Sequence, residues 1–185
     1  MITLRVTVFP LTRYLLLSFC IVLTGQLAAE QAGGLQYAPP ASWQAQPKPM
    51  RVGNFVVPAA SGDSESGECA IYYFGPGQGG GVDANVKRWL GQFIGADGKP
   101  LASSAVKRAE RTVNGIQVTT LDVTGTYLFK AFPMARQATQ KPGYRMLAAI
   151  AQGPDAPIFF KLTAPGKTAA AAQAAFDKMI DSLRK

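Results

Sequence analysis

The chain has 185 residues, no histidine and a formal net charge of +8. The length fits one domain plus a leader, and the missing histidine excludes Ser-His-Asp catalysis, Cys-His catalysis and any zinc site built on histidine. The basic residues are dispersed, as on a solvated surface; this argues against a nucleic-acid module and leaves open attraction to an anionic envelope or acidic polymer.

Residues 1–29 read as a secretory signal peptide. Arg5 and Arg13 precede the uncharged run Tyr14–Leu23, and small residues follow at Ala28 and Ala29. The apolar core is shorter than the roughly 20 residues of a membrane span, although an uncleaved N-terminal anchor is the alternative. Phe19 stands directly before Cys20, where a lipoprotein signal wants a small residue. The expected location is periplasmic or secreted, with no membrane span after cleavage. Cys69 is then the single remaining cysteine, expected as a small buried hydrophobe in a strand.

Residues 30–42 are rich in Ala, Gly, Gln and Pro. They read as a tether carrying a short first strand, Leu35–Ala38, and a single domain over 43–185 follows. Trp43 is expected to plug one end of the core. Met50–Pro58 and Glu68–Phe74 read as strands around the turn-like, acidic stretch 59–67. Next, Gly75, Gly77 and Gly80 satisfy G-x-G-x-x-G. A dinucleotide site needs a second parallel strand with an acid at its end, and a phosphate loop needs Gly-Lys-Ser/Thr. Neither is present, so the glycines read as a mobile connection from sheet to helix. No cofactor is expected.

The spacing of Val86, Trp89, Leu90 and Phe93 predicts a helix over Asp83–Ile94, with Asp83 as its N-cap. Its second face carries Asn85, Arg88 and Gln92, either a wet helix face or a surface for a partner or anion. Asn114-Gly115 predicts a type I′ hairpin between Ala105–Val113 and Ile116–Leu128. In the second arm Ile116 and Val118 are out of phase with Leu121 and Val123, which predicts a bulge near Thr119-Thr120. Glu110 and Asp122 lie on facing arms; Asp122 is expected to pair with a Lys or Arg rather than serve a carboxylate-pair hydrolase.

The loop Lys130–Gly143 is longer than a hairpin requires, and long loops are often functional. It carries Lys130, Phe132, Arg136 and Lys141, which suit a protein or anionic partner; the alternative is a loop folded over the core. A second hairpin joins Tyr144–Ala151 to Pro157–Thr163, with Ile158, Phe160 and Leu162 on one face and Phe159, Lys161 and Thr163 on the other. Ala172, Phe176, Met179 and Leu183 mark the packed stripe of a last helix from Thr168 to Leu183.

Hairpins impose antiparallel pairing. The fold expected is therefore α+β: an antiparallel sheet of about six strands with helices packed against it. The opening "LQYAPPASWQ", leading to "MRVGNFVVP" and then strand, helix, paired hairpins and C-terminal helix, resembles the PsbP-like group over residues 35–185. That resemblance implies an α/β/α sandwich and binding rather than catalysis, without a site motif to carry over. The function expected is an exported, non-enzymatic domain that binds a protein or cell-envelope component. The alternative is a small-ligand carrier, or a hydrolase-type enzyme with a site near the 83–94 helix.

Overall fold

Strand alternation places residues i and i+2 on one side of a sheet and i+1 on the other. In this chain it sorts the apolar residues onto both sides of one sheet. The computed structural model describes residues 29–130 and 136–185. The leader up to residue 28 lies outside the described residues, as does Phe132.

The elements run β1 (Glu30–Ala32), β2 (Leu35–Tyr37), β3 (Gln44–Ala45), β4 (Gly53–Val57), β5 (Gly67–Tyr73), α1 (Val82–Leu90) and β6 (Phe93–Ile94). They continue with β7 (Val106–Val113), β8 (Ile116–Phe129), β9 (Thr139–Gln152), β10 (Pro157–Pro165) and α2 (Gly166–Asp181). The main sheet has eight strands in the order β3-β4-β5-β10-β9-β8, with β7 and β6 pairing to successive stretches of β8. Every pairing is antiparallel. The class is α+β, and the strand count exceeds six because two-residue strands such as β3 and β6 carry no periodic signal of their own.

One side of the sheet carries an apolar core under α2. Ile116, Val118, Leu147, Ile158, Phe160 and Leu162 pack there against Ala172, Phe176, Met179 and Leu183, the stripe expected of the last helix. Cys69 is buried in the same layer, and burial raises its thiol pKa well above the usual range. Trp43 belongs to this layer too. The tether reading is corrected here. Residues 30–37 form the β1–β2 hairpin, because Ala32, Leu35 and Tyr37 are apolar at alternate positions on the arm and turn into the core. Tyr37 meets Phe160 edge to face at 5.2 Å, and the Gln36 and Arg184 backbones exchange hydrogen bonds of 2.8 and 3.1 Å.

The other side of the sheet carries Leu121, Val123, Met146, Ile150 and Phe159 beneath Val86, Trp89 and Phe93. This arrangement removes the expected bulge at Thr119-Thr120. The pairing of β8 with β7 and β9 runs without interruption through both residues. The change of phase occurs because the two halves of β8 bury opposite faces, one under α2 and one under α1. The register shift falls instead between Gly125 and Tyr127, where β9 has an extra residue.

The helix expected over 83–94 ends at Gly91, and Phe93–Ile94 pair with Tyr127 and Thr126 as a strand. Its N-cap is Gly81, not Asp83; Asp83 reaches Arg108 at 2.7 Å instead. The Asn114-Gly115 turn has both residues at positive φ, 48° and 77°, as a type I′ turn demands. Glu110 and Asp122 sit on opposite faces of the β7–β8 pair, since Asp122 faces Lys107 and Glu110 faces Thr119. They form no carboxylate pair. Asp122 receives two 2.8 Å bonds from Arg145, which also donates to Gln173 of α2.

Candidate functional site

The α1 layer is short. A nine-residue helix spans about 14 Å, while β8 and β9 have 14 residues each and extend far beyond it. Where α1 stops, the same face of the sheet continues as an open cleft of about 570 Å³. Side chains reach it by parity. Ala70 and Tyr72 of β5 and Lys161 and Thr163 of β10 alternate with the α2-side residues Ile71 and Leu162. Tyr127 and Phe129 come from the overhang of β8, and Lys141 and Tyr144 from β9.

The bulge shapes the far wall. Gly125 faces Tyr144 while Tyr127 faces Lys141, so β9 fits Pro142 and Gly143 into the irregularity. Pro has no N–H for the ladder and is tolerated at such a bulge, and Gly143 takes the left-handed φ of 70°. The result stacks Tyr127 on Tyr144 with centroids 5.9 Å apart. Lys141 Nζ lies 5.1 Å from the Phe129 ring centroid and 5.4 Å from that of Tyr144. Cations over ring faces at this range are attracted by the ring quadrupole.

Five cations, Lys48, Arg51, Lys130, Lys141 and Lys161, line the cleft with two carboxylates, Glu65 and Glu68. Both acids are engaged. Glu65 accepts from Lys141 and from the Tyr144 hydroxyl at 2.7 Å, and these bonds hold its pKa below the usual carboxylate range. Glu68 pairs with Lys48 and with Arg51 at 2.9 Å. Its burial works against ionisation, but the bonds from both cations outweigh it and the pKa falls. Lys161 pairs with no carboxylate among the described residues. Its ammonium donates to the Gln92 amide oxygen and lies 5.5 Å from the Tyr127 ring centroid. Burial pulls its pKa down to about 8, with Glu68 opposing and Arg51 and Arg88 adding like charge.

The residues named from sequence separate here. Lys130 and Lys141 line the cleft, and Gln92 is held by its floor through Lys161. Arg136 is exposed and is not among the cleft residues. The fourteen-residue loop is shorter than expected: residues 139–143 belong to β9, because Pro142-Gly143 make a bulge rather than a loop end. Asn85 is not a partner-binding group. It is buried, and its amide donates to the carbonyls of Gly79 at 2.8 Å, Gly80 at 3.3 Å and Gly81 at 2.9 Å. The glycine stretch is therefore pinned to α1 rather than a free connection. A Cβ on Gly79, whose φ is +87°, would come within 2.9 Å of Phe159. Arg88 remains exposed and donates to Asn85 Oδ1.

Comparison with known proteins adds likeness of fold. No family model matches the sequence, and no curated protein matches it. Among solved structures the chain is similar to a protein of unknown function from Pseudomonas aeruginosa, at TM-score 0.46 and 18% identity, covering 87% of this chain and 98% of that one. It is also similar to the cyanobacterial PsbP of Synechocystis sp. PCC 6803, at TM-score 0.46 and 15% identity, covering 91% and 98%.

Tyr72, Tyr127, Tyr144, Arg51 and Glu68 were not singled out from sequence as site residues. Lys161 had a signal: it interrupts an apolar strand at the parity opposite Ile158, Phe160 and Leu162. The others come from β5, β8, β9 and the segment before β4, far apart in the chain, and only strand pairing brings them together.

Proposed function

We propose that this chain is an exported, non-enzymatic domain that binds an anionic protein or cell-envelope component, and that the cleft beside α1 is where the partner docks. The single observation carrying this reading is the composition of that cleft, in which five cations outnumber two already neutralised carboxylates between aromatic walls. A low-dielectric cleft lined mainly by one sign of charge focuses its field outward and draws in the opposite charge. Tyr and Arg are the residue types that docking surfaces favour. The leader expected at 1–29 would bring the domain to the envelope, and no helix among the described residues is long and apolar enough to cross a membrane.

The test is capture from an envelope extract by the immobilised mature domain, run beside Thr163→Trp, which fills the cleft from the C-terminal part of β10. A component held by the wild type and released by the filled variant supports the reading. Identical sets on both columns, two empty sets included, sink it.

A further inference from the structure

A second cavity meets the cleft at Tyr72 and Lys161. It is a recess of about 150 Å³ walled by Phe74, Trp89 and Phe159, with Arg88 and Gln92 beside them. Its walls are firm. Trp89 meets Phe159 edge to face with centroids 6.3 Å apart, and Phe74 packs on Phe159 at 5.7 Å. Its lining is mixed: Phe74 is exposed, Trp89 and Phe159 show little more than an edge, and Arg88, Gln92 and Lys161 supply polar groups. A space of this size holds one benzene-sized ring, and aromatic walls favour an edge or offset partner.

The charge at the junction is unbalanced. Lys48, Arg51 and Lys141 each have a carboxylate, whereas Lys161 has an amide oxygen and a ring face. Arg88, on the exposed side of α1, donates among the described residues to the Asn85 amide oxygen alone. Glu68, whose charge supports the Lys161 ammonium, is already paired with Lys48 and Arg51, so a partly desolvated ammonium near a second cation is costly. An anion seated between them offsets that cost, and a carboxylate fits best, because guanidinium binds it through two parallel bonds.

We propose that recess and junction together bind an aromatic carboxylate, its ring on the exposed Phe74 beside the edges of Trp89 and Phe159 and its carboxylate on Lys161 Nζ and the Arg88 guanidinium. This deepens the reading of the cleft as a binding site and rests on it. Two sources share the chemistry: a free aromatic acid, or the C-terminal aromatic residue of a peptide whose remaining length runs into the larger cleft.

The probes are 3-phenylpropionate, an acetylated tetrapeptide ending in Phe with a free carboxylate, and the same peptide as its C-terminal amide. Each is titrated into the purified protein by calorimetry. At least one acid is expected to bind, with the amide at least tenfold weaker than the peptide acid where the peptide is the form bound. Binding of phenylpropionate assigns a free acid as the source, and binding of the peptide acid alone assigns a chain terminus. Lys161→Met and the exposed Arg88→Gln should each weaken the bound acid at least tenfold while keeping the far-UV dichroism of the wild type. The second variant removes no packed group and so guards against a folding defect in the first. Three outcomes overturn the proposal: neither acid binds; peptide acid and amide bind alike; or both variants bind as the wild type does. If the acids fail while Thr163→Trp still abolishes capture of an envelope component, this ligand class falls and the cleft reading stands. If capture is also indifferent to Thr163→Trp, both fall.

Discussion

The two faces of this sheet are built from the same strands and put to different uses. Under α2 the β10 residues that alternation sends inward meet apolar groups: Ile158, Phe160 and Leu162 are fully buried beneath Phe176 and Met179, and the polar Arg145 and Asp122 of that face are bonded to each other and to Gln173. Under α1 the same strands begin as core, with Phe159 and Met146, and end in Lys161, Thr163 and Tyr144 facing solvent-accessible space. The difference lies in helix length. Sixteen residues of α2 cover the β9–β10 centre of their layer and leave a smaller cleft beside β7, while nine residues of α1 leave the larger cleft on theirs. A sheet face that has lost its cover must either become polar or find a ligand, and this one combines rings with surplus positive charge.

If that division is right, truncation on the covered face should cost stability and truncation on the open face should not. The largest effect is expected for Phe160→Ala, which empties a fully buried site against Tyr37. The cost should be about 3–5 kcal/mol, read from the midpoint of urea unfolding; a loss below about 1 kcal/mol would break the contrast.

Asn85→Ala comes next, at about 1–3 kcal/mol, because three glycine carbonyls lose their donor. Hydrogen exchange should show residues 75–81 opening before the sheet does. An unchanged pattern would mean that the glycine stretch holds itself.

Lys161→Met sharpens the comparison through pH. In the folded protein Lys161 loses its proton near pH 8, against an ordinary value of 10.5. Between those values the unfolded chain holds more protons, so this group makes stability rise with pH. Its penalty is fully present below about pH 8 and is gone above the unfolded value. The variant should therefore be more stable than the wild type at pH 7, by about 1–3 kcal/mol, and the gap should close toward pH 10.5. Subtracting the two pH profiles cancels the contributions of the thiol and phenol groups that ionise over this range in the unfolded chain. A gap that does not change with pH would place Lys161 in water.

The smallest stability change is expected for Phe129→Ala on the open face, within about 0.5 kcal/mol, since that side chain is 39% exposed. Its effect should show instead as weaker retention of the envelope component. A loss of stability comparable to Phe160→Ala would erase the distinction between the faces.

Local patterns carried much of this architecture. The Asn114-Gly115 turn requires two positive φ angles that few other residue pairs accept, so it could be read without knowing what surrounds it. The Ala172–Leu183 stripe is likewise a property of one helix. The strand parity of Ile158, Phe160 and Leu162 put Lys161 on the other face in advance. Where local reading went astray, a partner element decided. The out-of-phase arms of β8 needed two covered faces rather than a bulge, and Pro142-Gly143 needed β8 alongside to be a bulge rather than a loop end. Asn85 fell on the polar side of its own helix, but the carbonyls it binds belong to a loop folded back over that helix.

The sequence by itself therefore determined the class of fold, the hairpins and the packed stripe of α2, because periodicity and turn chemistry act over a few residues. Only the tertiary structure decided the cleft. Its cations and rings come from β5, β8, β9, β10 and the segment before β4. They converge because antiparallel register sets which residues stand side by side, and because a short helix leaves that part of the face uncovered.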